Sequence, residues 1–284
     1  MKGPSFMLAL AFVFVVGVAT SAAAQEPAAP SAAPVVTHEL SLRDGSRLFG
    51  TVDREDEREV VFRSASGSVI VVARDQIRHL RKVRGSMTDG QFQVEDPNQT
   101  RLFFGPTGRA LPKGQATFGV YEFLMPFVQV GVTDRFSIGG GTPLLFGFDE
   151  GDRPFWITPK LLVLDNEQTK VSVGSLIMIA GGDGFHITYA VLTQERGRGS
   201  FSAGAGFAGN DDGGFGVVML GGEGTLTRSL RVISENYVSE HGVILSGGIR
   251  FVGERLSADV GLVFPPALDG VVLPIVNFTY AFGR

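Results

Sequence analysis

The chain has 284 residues, with 25 Lys and Arg against 29 Asp and Glu, and its net charge of −4 favours no particular charged partner. It contains no cysteine, which excludes a disulfide framework and a thiolate metal site. Its 39 glycines and 23 phenylalanines exceed the ordinary usage of these residues, and glycine is unfavourable in the interior of a helix. We therefore expect an all-β protein.

Residues 1–24 have the layout of a secretory signal peptide, with a lysine near the start and small residues at the end. The apolar run from Phe6 to Val18 spans about 13 residues, which is shorter than the roughly 20 that a membrane-spanning helix needs. We expect export and cleavage near Ala24. Residues 25–35 are rich in Pro, Ala and Ser, and we expect a flexible linker there.

Residues 36–84 predict a small five-strand β-domain, because Asp44-Gly45 between two alternating runs is a strong hairpin signal. The segments LSLRDGSRLFGTV, VVF and IRHLRKV resemble a small Sm-like barrel over about 45 residues. Such domains inside cells often bind RNA, but this one is exported and lacks the aromatic platforms on which bases stack. We expect no nucleic acid here, and instead a periplasmic module that contacts peptidoglycan or a periplasmic partner.

Residues 85–113 are rich in turn-forming residues and predict a connector or a plug. The stretch RLFFGPTGR is unusually apolar for a linker, so we expect it to pack against something. Phe103, Phe104 and Arg109 suit a segment that enters a barrel.

Residues 114–284 divide into segments of strand length separated by turn-forming residues. An even number of strands would return the C-terminus to the periplasm, as in bacterial single-chain barrels. We expect twelve strands, at 115–124, 126–132, 136–146, 154–164, 169–181, 184–193, 199–209, 214–225, 229–238, 242–251, 255–264 and 271–282.

Most of these strands carry apolar residues on one face and Gly, Ser and Thr on the other. A three-residue bend at 133–135 pairs Val130 with Ile138 on the apolar face and Gln129 with Gly139 on the other. A two-residue bend at Gly253-Glu254 would pair Phe251 with Leu256.

The strand at 184–193 also alternates between apolar and other residues, so we interpret it in the same way. We expect its apolar face, with Phe185, Ile187, Tyr189 and Val191, to point outward. His186 would then lie on the lumen face.

The apolar faces have no second sheet to cover them, whereas a lipid bilayer would do so. Hydrocarbon offers no hydrogen-bond partner for the backbone N–H and C=O groups at an open sheet edge, so the sheet must close into a barrel. We expect a closed antiparallel up-and-down transmembrane β-barrel in the outer membrane of a diderm bacterium. The alternative is a soluble exported β-sandwich that acts as a binding protein.

The last strand supports the membrane interpretation, since Val276, Phe278, Tyr280 and Phe282 share one face. This pattern resembles the C-terminal recognition strand of bacterial outer-membrane barrel proteins, although here Gly and Arg follow Phe282. The resemblance implies two partners, outer-membrane lipids and the barrel-assembly machinery.

Charged residues on the predicted lumen face form the candidate site. They can form an ion-pair network that holds the interior together, or a polar constriction that selects solutes. The predicted set is Glu122, Lys160, Glu223, Arg231, Glu235, Arg250 and Asp259.

The sequence favours a non-enzymatic barrel: a narrow pore, a carrier for a small or lipophilic solute, or an envelope-tethering structural protein. We expect no catalytic residues, cofactor or metal. The alternative is a barrel-rim hydrolase acting on lipid or peptide, in which Glu240-His241 and Asp211-Asp212 would activate water.

Overall fold

A computed structural model describes residues 35–88, 90–144, 153–180, 183–210, 212–265 and 271–283. The predicted signal peptide, most of the linker and the rim residue Asp211 lie outside these ranges. Within them the chain forms nineteen strands and one 3-10 turn at Arg74–Gln76. None of the described segments is a helix long and apolar enough to cross a membrane.

The N-terminal unit is a six-strand antiparallel sheet in the order β4-β3-β2-β1-β5-β6. Its apolar core contains Leu40, Val60, Phe62 and Val72. The predicted Asp44-Gly45 turn is present, with Gly45 at a φ of 93°. The strands are β1 (Val35–Leu42), β2 (Arg47–Glu55), β3 (Glu59–Ser64), β4 (Val69–Ala73), β5 (Ile77–Thr88) and β6 (Gln91–Val94).

The five strands predicted within 36–84 are present as β1 to β5, and the sheet gains a sixth strand, β6, from the predicted connector. Strand β5 runs beyond residue 84, and Gly90 turns the chain back at a φ of 73° into the short β6. The likeness to Sm-like barrels stays a prediction.

The remaining strands form one closed antiparallel ring of twelve, as predicted. Two short pieces, β10 and β11, make up one of the twelve, because Pro159 lacks the N–H that a continuous ladder needs. The strands are β7 (Ala116–Tyr121), β8 (Met125–Gly131), β9 (Phe136–Gly141), β10 (Phe155–Ile157), β11 (Lys160–Asp165), β12 (Thr169–Ala180), β13 (Asp183–Arg196), β14 (Gly199–Asn210), β15 (Gly213–Thr227), β16 (Leu230–Ser239), β17 (Gly242–Val252), β18 (Leu256–Phe264) and β19 (Leu273–Phe282).

The outer surface of the ring is apolar. Large hydrophobic side chains on nearly every strand are exposed there, among them Val130, Leu245, Val260 and Phe282. The predicted pairs Val130–Ile138 and Gln129–Gly139 are confirmed. A single closed sheet with an apolar exterior needs a hydrocarbon surrounding, so the soluble sandwich is wrong.

Strand β13 is the exception, because the predicted facing is reversed. Tyr189 and Val191 are buried in the lumen, Phe185 and Ile187 also point inward, and His186 lies on the outer face. The prediction assumed a polar lumen throughout. Here the inward face of β13 packs on apolar residues inside the ring, so alternation alone assigned the wrong side.

The predicted bend between β17 and β18 is also wrong by one position. Gly253 N bonds to Leu256 O, so the two bend residues are Glu254 and Arg255. Phe251 consequently pairs with Ala258, and Arg250 lies directly opposite Asp259.

The N-terminal sheet packs on the barrel end that carries the short β15–β16 and β17–β18 turns, where Arg228 and Glu254 lie. Buried Glu39 accepts hydrogen bonds from Arg81 of its own sheet and from Arg228 of the barrel, at 2.5 and 3.2 Å. Arg81 also pairs with Glu254. Val252 joins an apolar cluster with residues of β5 and β6.

We expect Val260→Arg, near the middle of β18 on the outer face, to destabilise the barrel in a bilayer by about 2–4 kcal/mol, since an arginine at midplane is costly there. Leu226→Arg, at the exposed turn end of β15, is the control and should cost about 0–1 kcal/mol. Urea titration of folding into vesicles measures both. Equal costs would contradict a lipid-facing Val260.

Acidification should loosen the N-terminal sheet from the barrel. Burial raises the pKa of the Glu39 carboxyl, but hydrogen bonds from Arg81 and Arg228 outweigh this and hold the pKa below its ordinary value. Its contribution is therefore present above the unfolded pKa of about 4.3 and is lost as pH falls through the lower folded pKa.

Because the chain has no cysteine, spin labels on Ser66→Cys and Gln168→Cys can report this docking. The distance distribution should broaden at acid pH, and Glu39→Gln should broaden it already at pH 7. Glu59→Gln, which removes an exposed ion pair of the same sheet, is the control. An unchanged distribution in Glu39→Gln would contradict the docking role.

Candidate functional site in the barrel lumen

The lumen of the barrel is filled by residues 95–112, which we call the lumen segment. It follows β6 and enters the ring from the end that carries the N-terminal sheet. Leu102 and Phe103 are fully buried, in a cluster with Val191, Met219 and Ile275 of the barrel wall. The space that the small wall residues leave open is therefore occupied by the chain itself.

The tip of the lumen segment is a tight hairpin. Leu102 N bonds to Gly105 O at 2.8 Å and Thr107 N bonds to Thr100 O at 3.0 Å, Arg101 pairs with Pro106, and Phe103-Phe104 form the bend. A turn within the segment satisfies some of its backbone groups, as a buried segment requires. This explains the unusual combination of apolar and turn-forming residues in RLFFGPTGR.

Wall side chains pair with the remaining backbone groups of the lumen segment. Arg250 Nη2 donates to Leu102 O at 2.6 Å, and Lys160 Nζ donates to Thr100 O and Thr107 O at 3.0 and 3.1 Å. On the neighbouring strands β12 and β13, Gly108 N donates to Thr193 Oγ1, and Ser172 Oγ donates to Gly108 O, both at 2.8 Å. The segment is thus tied to several strands around the ring.

Four of the seven predicted lumen residues belong to one buried ion network. Arg250 is fully buried and makes a two-point contact with Asp259, Nε–Oδ1 2.6 Å and Nη2–Oδ2 3.0 Å. Arg231 Nη1 lies 3.3 Å from Glu223 Oε1. Asp96 of the lumen segment joins the two pairs, since its Oδ2 lies 3.0 Å from Arg250 and 3.7 Å from Arg231.

Arg109 extends this network along the wall. Its guanidinium lies 2.6 Å from carboxylate oxygens of both Glu195 and Glu223. Asp96 and Glu195 are the residues that sequence reasoning missed. Glu195 lies beyond the predicted end of its strand at residue 193, and the facing predicted for that strand was reversed. The charged Asp96 inside the predicted connector or plug is a signal that could have been used.

The other three predicted residues lie apart from the network. Among the residues that the structure describes, Lys160 bonds only to backbone carbonyls. Glu235 accepts hydrogen bonds from Tyr237 Oη at 2.6 Å and from Phe104 N at 3.1 Å. Glu122 lies in the β7–β8 turn at a φ of 49°, where its Oε1 accepts a hydrogen bond from Val276 N.

The remaining predicted residues lie on the outer face or at the rim. The outer face of β19 carries Val276, Phe278, Tyr280 and Phe282, and their role in assembly stays a prediction. At the rim, the ring of His241 packs on Phe215 with centroids 4.2 Å apart.

Two cavities flank the lumen segment, with different linings. The mouth cavity, about 690 Å³, lies between the N-terminal sheet and the barrel and is lined by polar and charged groups that include Arg84, Arg109, Glu195 and Arg231. The apolar cavity, about 370 Å³, lies on the other side of the segment and is lined mainly by Trp156, Leu176, Met178, Phe185, Ile187 and Tyr189. The lumen segment thus separates a polar space from an apolar one.

We expect Arg250→Ala to lower the free energy of unfolding by about 3–5 kcal/mol, because it leaves buried carboxylates and carbonyls without their donor. Arg54→Ala, which breaks an exposed ion pair of the N-terminal sheet, is the control and should cost about 0–1 kcal/mol. Urea unfolding in detergent compares the two. A cost for Arg250→Ala as small as the control's would contradict the network's role.

No protein-family model and no curated protein sequence matches the chain. Similar solved structures include the KdgM porin, 7% identical over 59% of this chain and 98% of that one, with a TM-score of 0.46. They also include the NanC porin (7%, 60% and 99%, TM-score 0.43) and the toluene transporter TbuX of Ralstonia pickettii (12%, 87% and 86%, TM-score 0.34). From its own closed ring of twelve strands and apolar exterior, the chain has the fold of an outer-membrane β-barrel protein.

Proposed function

We propose that this protein is a non-enzymatic carrier that passes a small, largely apolar solute across the outer membrane when the lumen segment moves. The observation that carries the proposal is the lumen segment itself, which fills the ring and contacts strands on all sides. A twelve-strand ring lined by Gly and Ser would otherwise leave open space along its axis.

The two cavities indicate what the carrier takes. The apolar cavity falls in the size range of small-molecule sites, about 300–1,000 Å³, and such sites combine apolar walls with a few polar groups. A permanently open pore for hydrated solutes would need a continuous polar path, which Leu102 and Phe103 interrupt. The cavities therefore support a carrier over a simple pore.

The contacts of the lumen segment also indicate how it is released. It is tied by ion pairs and hydrogen bonds at its two ends and by a small apolar cluster at its tip. Its entrance lies beside the N-terminal sheet, where Thr225 bonds to Gln93 and Arg231 bonds to the Val94 carbonyl. A periplasmic partner or peptidoglycan that binds 36–84 would act directly on this entrance, and this partner is part of the proposal.

Displacing the lumen segment should open the barrel. A side chain at Gly108 would place its Cβ 2.2 Å from the carbonyl oxygen of Lys170, which is backbone and cannot move aside easily. We expect Gly108→Val to increase ion conductance across planar bilayers several-fold over the nearly silent wild type. Gly184→Val is the control, because nothing lies within 4 Å of a Cβ there.

Heat-modifiable gel mobility confirms that each variant is folded before conductance is recorded. A large, steady conductance of the wild type would contradict an occluded lumen. If folded Gly108→Val is as silent as the wild type, then movement of the lumen segment does not open a path, and the proposal fails.

A further inference from the structure

The apolar cavity has two cationic side chains among its lining groups, Lys160 of β11 and Arg101 of the lumen segment. Both are buried, with Lys160 4% and Arg101 8% exposed. Buried charges are ordinarily paired with an opposite charge. Two buried cations at one apolar cavity therefore need an explanation.

Neither cation forms an ion pair within the described part of the chain. Lys160 Nζ donates to two backbone carbonyls. Arg101 donates from Nη2 to Thr279 Oγ1 at 3.4 Å, and its Cζ lies 3.8 Å from the centroid of Phe127. Its Nε is buried and has no hydrogen-bond partner among the described residues.

The other buried cations of the lumen behave differently. Arg109, Arg231 and Arg250 each contact two or more carboxylates. The acids that pair with cations are therefore concentrated on the side of the mouth cavity. On the side of the apolar cavity, the buried Glu235 bonds to Tyr237 Oη and Phe104 N instead, and Lys160 and Arg101 have no carboxylate partner among the described residues. This uneven distribution of charge also holds along the lumen segment, which carries Asp96 near its first residue and Arg101 near its tip.

We infer that the apolar cavity binds a small amphipathic monocarboxylate, an aromatic or short aliphatic acid, with its carboxylate at Lys160 and Arg101. The apolar body lies against Trp156, Phe185 and Tyr189. This inference rests on the proposed carrier function and names the class of its solute. Binding would supply the anion that the two cations lack, in a setting where charge-assisted hydrogen bonds are strong.

Binding would also couple to movement of the lumen segment. Lys160 holds the segment through the carbonyls of Thr100 and Thr107. A carboxylate that competes for Lys160 Nζ weakens that hold, and one that draws on Arg101 acts on the tip itself. The same acid that occupies the cavity therefore loosens the segment that closes the path.

The chain reports binding without any label, because its single tryptophan, Trp156, lines the cavity. The protein is reconstituted in lipid nanodiscs, and Trp156 emission is titrated with phenylacetate and with its uncharged match, phenylacetamide. We expect phenylacetate to bind about 10- to 100-fold more tightly, as for a charge-assisted hydrogen bond against a neutral one.

Lys160→Met and Arg101→Met should each reduce this preference while binding of the amide persists. Lys170→Met is the matched control and should keep the preference, because Lys170 lies at the start of β12 and pairs with Asp165 at the end of β11. The comparison of acid with amide on the wild type needs no variant, so the inference can be tested even if Lys160→Met fails to fold.

Equal binding of acid and amide would overturn the inference, as would a preference that survives in both Lys160→Met and Arg101→Met. A Trp156 emission that neither probe changes would overturn it too. Each of these results leaves the carrier function open to its own test, since the conductance of Gly108→Val does not depend on the solute's charge. Failure of the solute class and failure of the carrier are therefore distinguishable.

Discussion

The constraint on which the whole structure depends is that hydrocarbon cannot pair with backbone N–H and C=O groups. The sheet must therefore close, and β19 pairs with β7 to complete a ring without edges. The same constraint sets the chemistry of the two faces, because large apolar residues are needed outside. The wall then has Gly, Ser and Thr inside at many positions, which leaves a lumen that its own side chains do not fill.

The lumen segment fills the space that the wall side chains leave open, but it also brings more backbone groups into the interior. A buried hairpin brings its own backbone groups, and each must find a partner away from water. The hairpin bonds within itself satisfy some, and Arg250, Lys160, Ser172, Thr193 and Asn277 satisfy others. The charged residues of the wall thus act first as donors and acceptors for the segment, and only then as partners of one another.

This arrangement makes the lumen segment well fixed yet separable. Its apolar contact is confined to a small cluster around Leu102 and Phe103, while most of its ties are polar groups that water or a ligand could replace. The two sides of the lumen segment differ in charge. Carboxylates surround the cations near the mouth cavity, whereas among the described residues none pairs with Lys160 or Arg101 beside the apolar cavity. In the proposed carrier, this difference in charge would give a solute an apolar site on one side of the lumen segment and a polar exit on the other.

Sequence patterns were enough for the twelve strands, because turn residues punctuate them and the outer faces alternate regularly. They failed at β13, where Tyr189 and Val191 are apolar on the inside because the lumen segment packs there. They also failed at the β17–β18 bend, where the opposition of Arg250 and Asp259 overrode the local preference for glycine at the first bend position. Most of the ion network was predictable, since alternation places Glu223, Arg231, Arg250 and Asp259 on the lumen face. Glu195 was missed because it lies beyond the predicted end of its strand, and Asp96 because it lies in a segment without alternation.

The central claim is that residues 95–112 lie inside the closed ring. Hydrogen exchange of their backbone amides, in nanodiscs at neutral pH, tests it most directly, because a buried and bonded amide exchanges far more slowly than an exposed one. The account predicts slow exchange for the amides of Leu102, Phe104, Thr107 and Gly108, comparable to the strands around them. Exchange as fast as that of an unstructured linker would contradict it.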